Sequence, residues 1–192
     1  MNKINKDSTL LDFVQVYRQA LTTKQCESVI NKTTNLDWYK HEWYAYNKTV
    51  STDDNEFDRV EVSNPMSRLM LSGCINWCIN QYVDKTRTLG VNFGFNGMTI
   101  PLINRYGPGH LMLPHIDHIT SIFDGEKKGI PTLSVLGLLN KDFVGGQFKL
   151  WKEHIIDLNV GDILIFPSNF MYEHHVDVIT DGTRYSFVSW IY

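Results

Sequence analysis

The segment LMLPHIDHITS, Leu111 to Ser121, sets His115, Asp117 and His118 among leucine, methionine and isoleucine. In an extended strand, side chains two apart share a face. His115 and Asp117 therefore point one way, and Ile116 and His118 the other. An imidazole and a carboxylate on one face supply two of the three ligands of a two-histidine, one-carboxylate metal site, the set that suits non-haem iron(II). The third ligand must come from elsewhere, and FMYEHHVDVITDGTRYSFVSWIY offers it about sixty residues on. His174 and His175 are adjacent, so in a strand only one of them can enter the pocket of His115 and Asp117. Arg184 follows His174 by ten positions and shares a strand face with Ser186, Val188 and Trp190. A guanidinium beside a hydroxyl suits a dicarboxylate, because arginine grips a carboxylate in bidentate fashion and serine adds a hydrogen bond.

Rival chemistries fit less well. Zinc accepts two histidines and a carboxylate, but has no need of Arg184 and Ser186. The GPG of Gly107 to Gly109 lacks the Lys-Ser/Thr of a phosphate loop and reads as a turn. Cys74 and Cys78 lie on one helix face and read as buried thiols. His110 and His118 flank the motif in surface or supporting positions. His41 and His154 have no evident partners and are expected in solvent or core.

The elements that must carry these residues follow from pattern. LDFVQVYRQALT reads as a strand, and Thr23 as the cap of a helix through KQCESVINKT. Asn64-Pro65 starts a second helix, with Met66, Leu69, Met70, Cys74, Ile75, Cys78, Ile79 and Tyr82 at helical spacing. LDWYKHEWYAY could give an aromatic wall from Trp38, Tyr39, Trp43, Tyr44 and Tyr46. The acidic stretch Ser51 to Arg59 reads as an exposed loop or lid. From residue 97 the chain breaks into short apolar runs with turn signals. The expected fold is α+β, mainly β: one domain over 1–192, with an N-terminal strand and supporting helices in 1–96 and a double-sheet jelly roll in 97–192.

Taken in order, RYGPGHLMLPHIDH, LNKDFVGGQFKLW, VGDILIFPSNFMYEHHV and GTRYSFVSW resemble the iron(II)/2-oxoglutarate-dependent dioxygenases of the prolyl 4-hydroxylase-like branch. The resemblance runs from about Tyr106 to Tyr192, and Phe13 to Thr33 also resembles that family's N-terminal region. It implies Fe(II) held by His115, Asp117 and His174. The ten-residue gap to Arg184 matches collagen-type members, although the nine-residue gap from His175 also occurs among relatives. It implies that Arg184 meets the far carboxylate of 2-oxoglutarate, that Tyr106 lines that pocket and that Trp190 stands at its wall. O2 is the second cosubstrate, and ascorbate is admitted as a reductant after uncoupled turnover. The implied reaction hydroxylates a C–H bond, foremost of proline in a peptide or protein, with release of succinate and CO2. Two positions depart from the pattern. Leu138 stands where several relatives place a tyrosine, leaving Ser186 to replace that contact, and His175 stands where glutamate is common.

Other readings predict other behaviour. An oxygenase of a free amino acid or other small molecule would turn over that molecule alone, and a non-catalytic jelly-roll binding module would do no chemistry. A nucleic-acid demethylase would carry a second arginine where Trp190 stands. The 192 residues carry a net charge of -3 and three cysteines. No broad basic field calls for nucleic acid or anionic membrane, and the polar start MNKINKDSTLLDF lacks a signal-peptide core. A cytoplasmic location is therefore expected, with no nucleic-acid or membrane partner. Sequence leaves the oligomeric state open.

Overall fold

A computed structural model gives the fold. It describes residues 9–45, 48–51, 55–117 and 131–192, with backbone alone for 43–45 and 48–51. A 3₁₀ turn, Leu10–Phe13, leads into β1 (Gln15–Tyr17), α1 (Thr23–Thr33), β2 (Tyr39–Lys40), β3 (Glu42–Ala45), β4 (Lys48–Ser51), β5 (Asp58–Glu61) and α2 (Pro65–Thr88). The second half is all strand: β6 (Leu102–Tyr106), β7 (Met112–His115), β8 (Leu133–Leu138), β9 (Phe143–Gly145), β10 (Phe148–Leu150), β11 (His154–Ile156), β12 (Ile163–Pro167), β13 (His174–Val176), β14 (Ile179–Gly182) and β15 (Arg184–Ile191).

A seven-stranded sheet has the order β1-β12-β8-β15-β6-β5-β2, and a four-stranded sheet the order β11-β10-β13-β7. All the strand pairs in both are antiparallel. The expected jelly roll is therefore present, mainly β with supporting helices. Three strands from the first half, β1, β5 and β2, extend its larger sheet.

Period-two alternation sorts the larger sheet's side chains between two cores. Leu133, Val135, Ile163, Ile165, Phe187 and Ile191 pack with Leu71, Ile75 and Ile79 of α2. Leu136, Leu138, Leu164 and Phe166 turn the other way, onto Phe148, Leu150 and Val176 of the smaller sheet. Gly137 makes the first packing possible: a Cβ there would lie 2.0 Å from the Phe187 ring.

Local chemistry explains the helices. Asn64 caps α2, its Oδ1 accepting from the Ser67 N–H at 3.0 Å, with Pro65 in the first turn. The cap of α1 is Thr22, one residue before the expected Thr23. The Thr22 hydroxyl accepts from the Gln25 N–H, and Gln25 Oε1 accepts from the Thr22 N–H, a capping box. The strand expected across LDFVQVYRQALT shrinks to Gln15–Tyr17 because Leu10–Phe13 turn. On α2 the buried stripe holds Leu71, Ile75, Cys78, Ile79 and Tyr82, while Met66 and Leu69 stay 68% and 69% exposed. Met66 precedes Ile75 by about two and a half helical turns and so faces away. Cys78 is buried and Cys74 half-buried; burial raises both thiols, Cys78 to about 12. The acidic stretch is no exposed loop at its described end, where Glu56 and Phe57 are 3% and 1% exposed. They are drawn in by a bridge to Leu111. Among the described residues no helix is long and apolar enough to cross a membrane.

Candidate active site

His115 ends β7 and His174 opens β13, and the two are cross-strand partners. The next pair is Met112 with Val176. Two residues of β7, Leu113 and Pro114, thus lie opposite one of β13, His175, a bulge. This lets both Met112 and His115 face inward.

Asp117 lies just past the strand end. Its carboxylate meets both rings, with Oδ1 at 3.5 Å from His115 Nε2 and Oδ2 at 3.8 Å from His174 Nε2. One ligand atom from each of the three residues falls within 4.8 Å of the others. His115 Nδ1 lies 2.9 Å from the Leu113 carbonyl and His174 Nδ1 lies 3.1 Å from the Tyr172 carbonyl. A carbonyl can only accept, so each Nδ1 carries the proton and each Nε2 lone pair is turned to the cluster. Such outer hydrogen bonds fix the tautomer of metal-ligating histidines.

The electrostatics agree. Burial pushes His174 down to about 4, against the pull of Asp117, so its ring is neutral at pH 7. Burial alone would raise the Asp117 carboxyl, but His174, His115 and Ser134 together hold it well below the usual carboxylate range. One ionised carboxylate and a neutral imidazole are what a divalent ion needs. His175 points elsewhere, its Nε2 at 3.4 Å from Asp177 Oδ1.

Arg184 opens β15 and is 1% exposed. Its Nη1 donates to Ser186 Oγ at 2.8 Å, and its guanidinium sits 5.2 Å from the ring centre of Tyr106, its cross-strand partner. Among the described residues no carboxylate pairs with it, and burial lowers its pKa. A buried cation without a counter-ion is costly, and a carboxylate ligand would repay that cost. Gly146 makes the space: its φ is +61°, and a Cβ there would come within 3.1 Å of Arg184 Cδ. Leu138 stands opposite Ser186, so the position that lacks a tyrosine hydroxyl has the Ser186 hydroxyl beside it. A pocket of about 230 Å³ opens here, lined by Arg184, Leu138, Phe143, Phe148, Ile156 and Leu158.

Residues 101–192 match the profile of the 2OG-Fe(II) oxygenase superfamily. Residues 101–192, just under half of the chain, thus carry a 2OG-Fe(II) oxygenase domain. The oxygenase is similar in fold to a prolyl hydroxylase from Trichoplax adhaerens, solved with a hypoxia inducible factor oxygen degradation domain peptide. The TM-score is 0.69 at 19% identity, over 94% of this chain and 84% of that one. It is also similar to the viral collagen prolyl hydroxylase of Paramecium Bursaria Chlorella virus-1, solved as its 2OG complex, with TM-score 0.67, 14% identity and coverage of 93% and 94%. A Pseudomonas putida prolyl-4-hydroxylase gives TM-score 0.65 and 12% identity over 93% and 91%. No curated protein sequence matches the chain.

The oxygenase is thus an enzyme dependent on Fe(II), 2-oxoglutarate and O2. Its donor set fits the metal, with two neutral-capable imidazoles and a carboxylate converging, and its unbalanced Arg184 fits an anionic cosubstrate. Of the other expected residues, Tyr106 is buried, stacked on Phe57 at 4.4 Å, and its hydroxyl is raised by burial. Trp190 is half-buried and stands opposite Ser134. His110 Nδ1 accepts from Gly107 N–H within the GPG turn, and His118 lies outside the described residues. Trp38 is not part of an exposed wall: Arg105 lies 4.3 Å over its ring and Tyr185 meets its edge. Tyr39 is 45% exposed, while the side chains of Trp43, Tyr44 and Tyr46 lie outside the described residues. Sequence reasoning missed His41, whose Nδ1 faces Glu56 at 3.4 Å and whose ring stacks on Phe57, one ring removed from Tyr106. It also missed Ser134, which donates to Asp117 Oδ2 at 2.5 Å.

Proposed function

We propose that this oxygenase hydroxylates a prolyl residue within a peptide or protein, converting 2-oxoglutarate and O2 to succinate and CO2. The observation that carries the reading is the joining of two features in one jelly-roll interior. One is the His115–Asp117–His174 cluster, and the other is the buried Arg184 with no carboxylate partner among the described residues. The peptide assignment is supported by the likeness to three prolyl hydroxylases over more than nine-tenths of the chain, one of them holding a peptide.

His115, Asp117 and His174 would hold one face of the metal, the facial arrangement that leaves positions for cosubstrate. The chemistry that Fe(II) supplies when bound is activation of O2 for oxidative decarboxylation coupled to C–H hydroxylation. Arg184 and Ser186 grip the far carboxylate of 2-oxoglutarate and fix its direction. Tyr106 walls that carboxylate, and Trp190 closes the side near Ser134. Leu136, Phe148, Phe166 and Val176 line the space between the sheets and keep water out.

The test is an anaerobic titration of metal-free protein with Fe(II) and 2-oxoglutarate, followed by turnover assays. A visible charge-transfer band and hydroxylation of proline-containing peptides, with free proline ignored, are expected. A band with turnover of free proline or another small molecule only would replace the peptide assignment. Folded protein without a band would remove the oxygenase chemistry.

A further inference from the structure

Asp117 is the one ligand of the three that no strand ladder holds. His115 and His174 sit in β7 and β13, paired to each other. Asp117 follows the end of β7 and has no regular secondary structure. Its orientation must come from its side-chain partners, and the partner that reaches it comes from the opposite sheet. Ser134 of β8 donates to Asp117 Oδ2 at 2.5 Å, and its hydroxyl also lies 2.8 Å from the Ser168 hydroxyl just past β12. Both serines are buried, 3% and 1% exposed.

A serine hydroxyl has one proton, and an ionised carboxylate only accepts. Ser134 therefore spends its proton on Asp117, and the contact to Ser168 must be donated by Ser168. The chain has one direction: Ser168 to Ser134 to Asp117. It ties up Oδ2 and leaves Oδ1, the atom nearer His115, for the metal. Its two donors stand on neighbouring strands, where Phe166 pairs with Ser134 and Pro167 with Leu133. The chain therefore has a rigid base. Each link is short and dry, where a hydrogen bond to a charged group is strongest.

We propose that Ser134 and Ser168 are positioning residues that hold Asp117 as a one-oxygen metal ligand, keeping its second oxygen off the metal and a coordination position open for cosubstrate. This rests on the reading of His115, Asp117 and His174 as the metal ligands. Losing the Ser134 hydroxyl frees Oδ2 to swing onto the metal, changing the ligand count and not only the affinity.

The experiment uses the full chain with Co(II) as the probe. Wild type, Ser134→Ala, Ser134→Thr and Ser168→Ala are compared by far-ultraviolet circular dichroism, Co(II) titration and infrared difference spectra of the carboxylate stretches. Ser134→Ala is expected to fold, to bind Co(II) about 10- to 100-fold more weakly, the usual effect of losing such a partner, and to narrow the splitting between the antisymmetric and symmetric stretches. Ser134→Thr keeps the hydroxyl and restores the wild-type splitting. Ser168→Ala gives a smaller change in the same direction. With 2-oxoglutarate and Fe(II), the Ala variant decarboxylates with a lower yield of hydroxylated product per succinate. Wild-type splitting and Co(II) affinity in folded Ser134→Ala overturn this proposal and leave the ligand reading standing. Wild-type protein that binds no Co(II) overturns the ligand reading beneath it. If Ser134→Ala does not fold, unchanged Co(II) binding and splitting in Ser168→Ala overturn the proposal as a directed chain.

Discussion

Replacing Arg184 by methionine separates the cost of binding cosubstrate from the cost of folding. In the protein without cosubstrate the guanidinium is buried, gives one hydrogen bond to Ser186 and rests on Tyr106, with no carboxylate partner among the described residues. Methionine removes an uncompensated buried charge, which favours folding. It also leaves the Ser186 hydroxyl without that donor, which costs about 1–3 kcal/mol. The two effects oppose, so the unfolding free energy should move by less than about 2 kcal/mol. Binding behaves differently. Deleting one partner of a buried, hydrogen-bonded charge pair costs about 2–5 kcal/mol. At about 1.4 kcal/mol per tenfold, that is roughly 30-fold to several thousand-fold in Kd for 2-oxoglutarate. Arg184→Lys keeps the charge but loses the planar fork, and should fall between wild type and methionine. The assay is calorimetric titration of Mn(II)-loaded protein with 2-oxoglutarate, beside urea unfolding of the same preparations. A Kd within threefold of wild type for Arg184→Met would show that Arg184 does not meet the cosubstrate.

Three further outcomes are expected. His174→Ala should abolish Co(II) binding while His175→Ala leaves it within about threefold, since His175 faces Asp177 and not the cluster; the reverse result would reassign the third ligand. The metal-free protein should lose stability as pH falls from 6.5 toward 4. His174 sits at about 4 when folded against 6.5 unfolded, so the unfolded chain holds more protons across that window. The slope from this group is at most about 1.4 kcal/mol per pH unit. Asp117, also depressed, adds the same sign at lower pH, and a urea midpoint at pH 5 equal to that at pH 7 would contradict the reading. Gly137→Ala should destabilise the fold by about 1–3 kcal/mol or more, read as a lower melting temperature, because its Cβ would collide with the Phe187 ring. An unchanged melting temperature would mean that ring is free to move.

What the sequence disclosed depended on how local its cause was. The start of α2 was legible because a capping side chain and a proline act within one turn. His115 and Asp117 converge as expected, but not by strand alternation: β7 ends at His115, and Asp117 is turned inward by its contacts to His115, His174 and Ser134. The face of α2 was only partly legible. Apolar spacing says which residues could be buried, but the sheet behind decides which are, and Met66 and Leu69 lost. The bulge at Leu113 and Pro114 could not be counted from one strand, since a bulge is a mismatch between two; Pro114, out of place in a regular strand, was its only trace. Glu56 and Phe57 read as loop because their burial comes from a bridge to Leu111, more than fifty residues on. Ser134 left a fainter signal: a single hydroxyl within TLSVLGLL, on the same face as Leu136 and Leu138.

These separations follow from how the fold divides the work. His115 and His174 come from the four-stranded sheet, while Arg184, Ser186, Ser134 and Trp190 come from the seven-stranded one. Asp117 is bonded to the first group by sequence and to the second by Ser134. The gap between the sheets is set by the rings that fill it. Phe148 and Phe166 lie 5.4 and 5.0 Å from the His174 ring, on opposite sheets. The helices pack on the far face of the larger sheet. A change in the helix core therefore acts on Arg184 and Ser134 together, through the sheet that carries both, and alters stability before it alters the ligand cluster. A change at Phe148 or Phe166 acts on the distance between the His115–His174 pair and Arg184. The enzyme needs that distance held constant, and two buried phenylalanines fill the gap there.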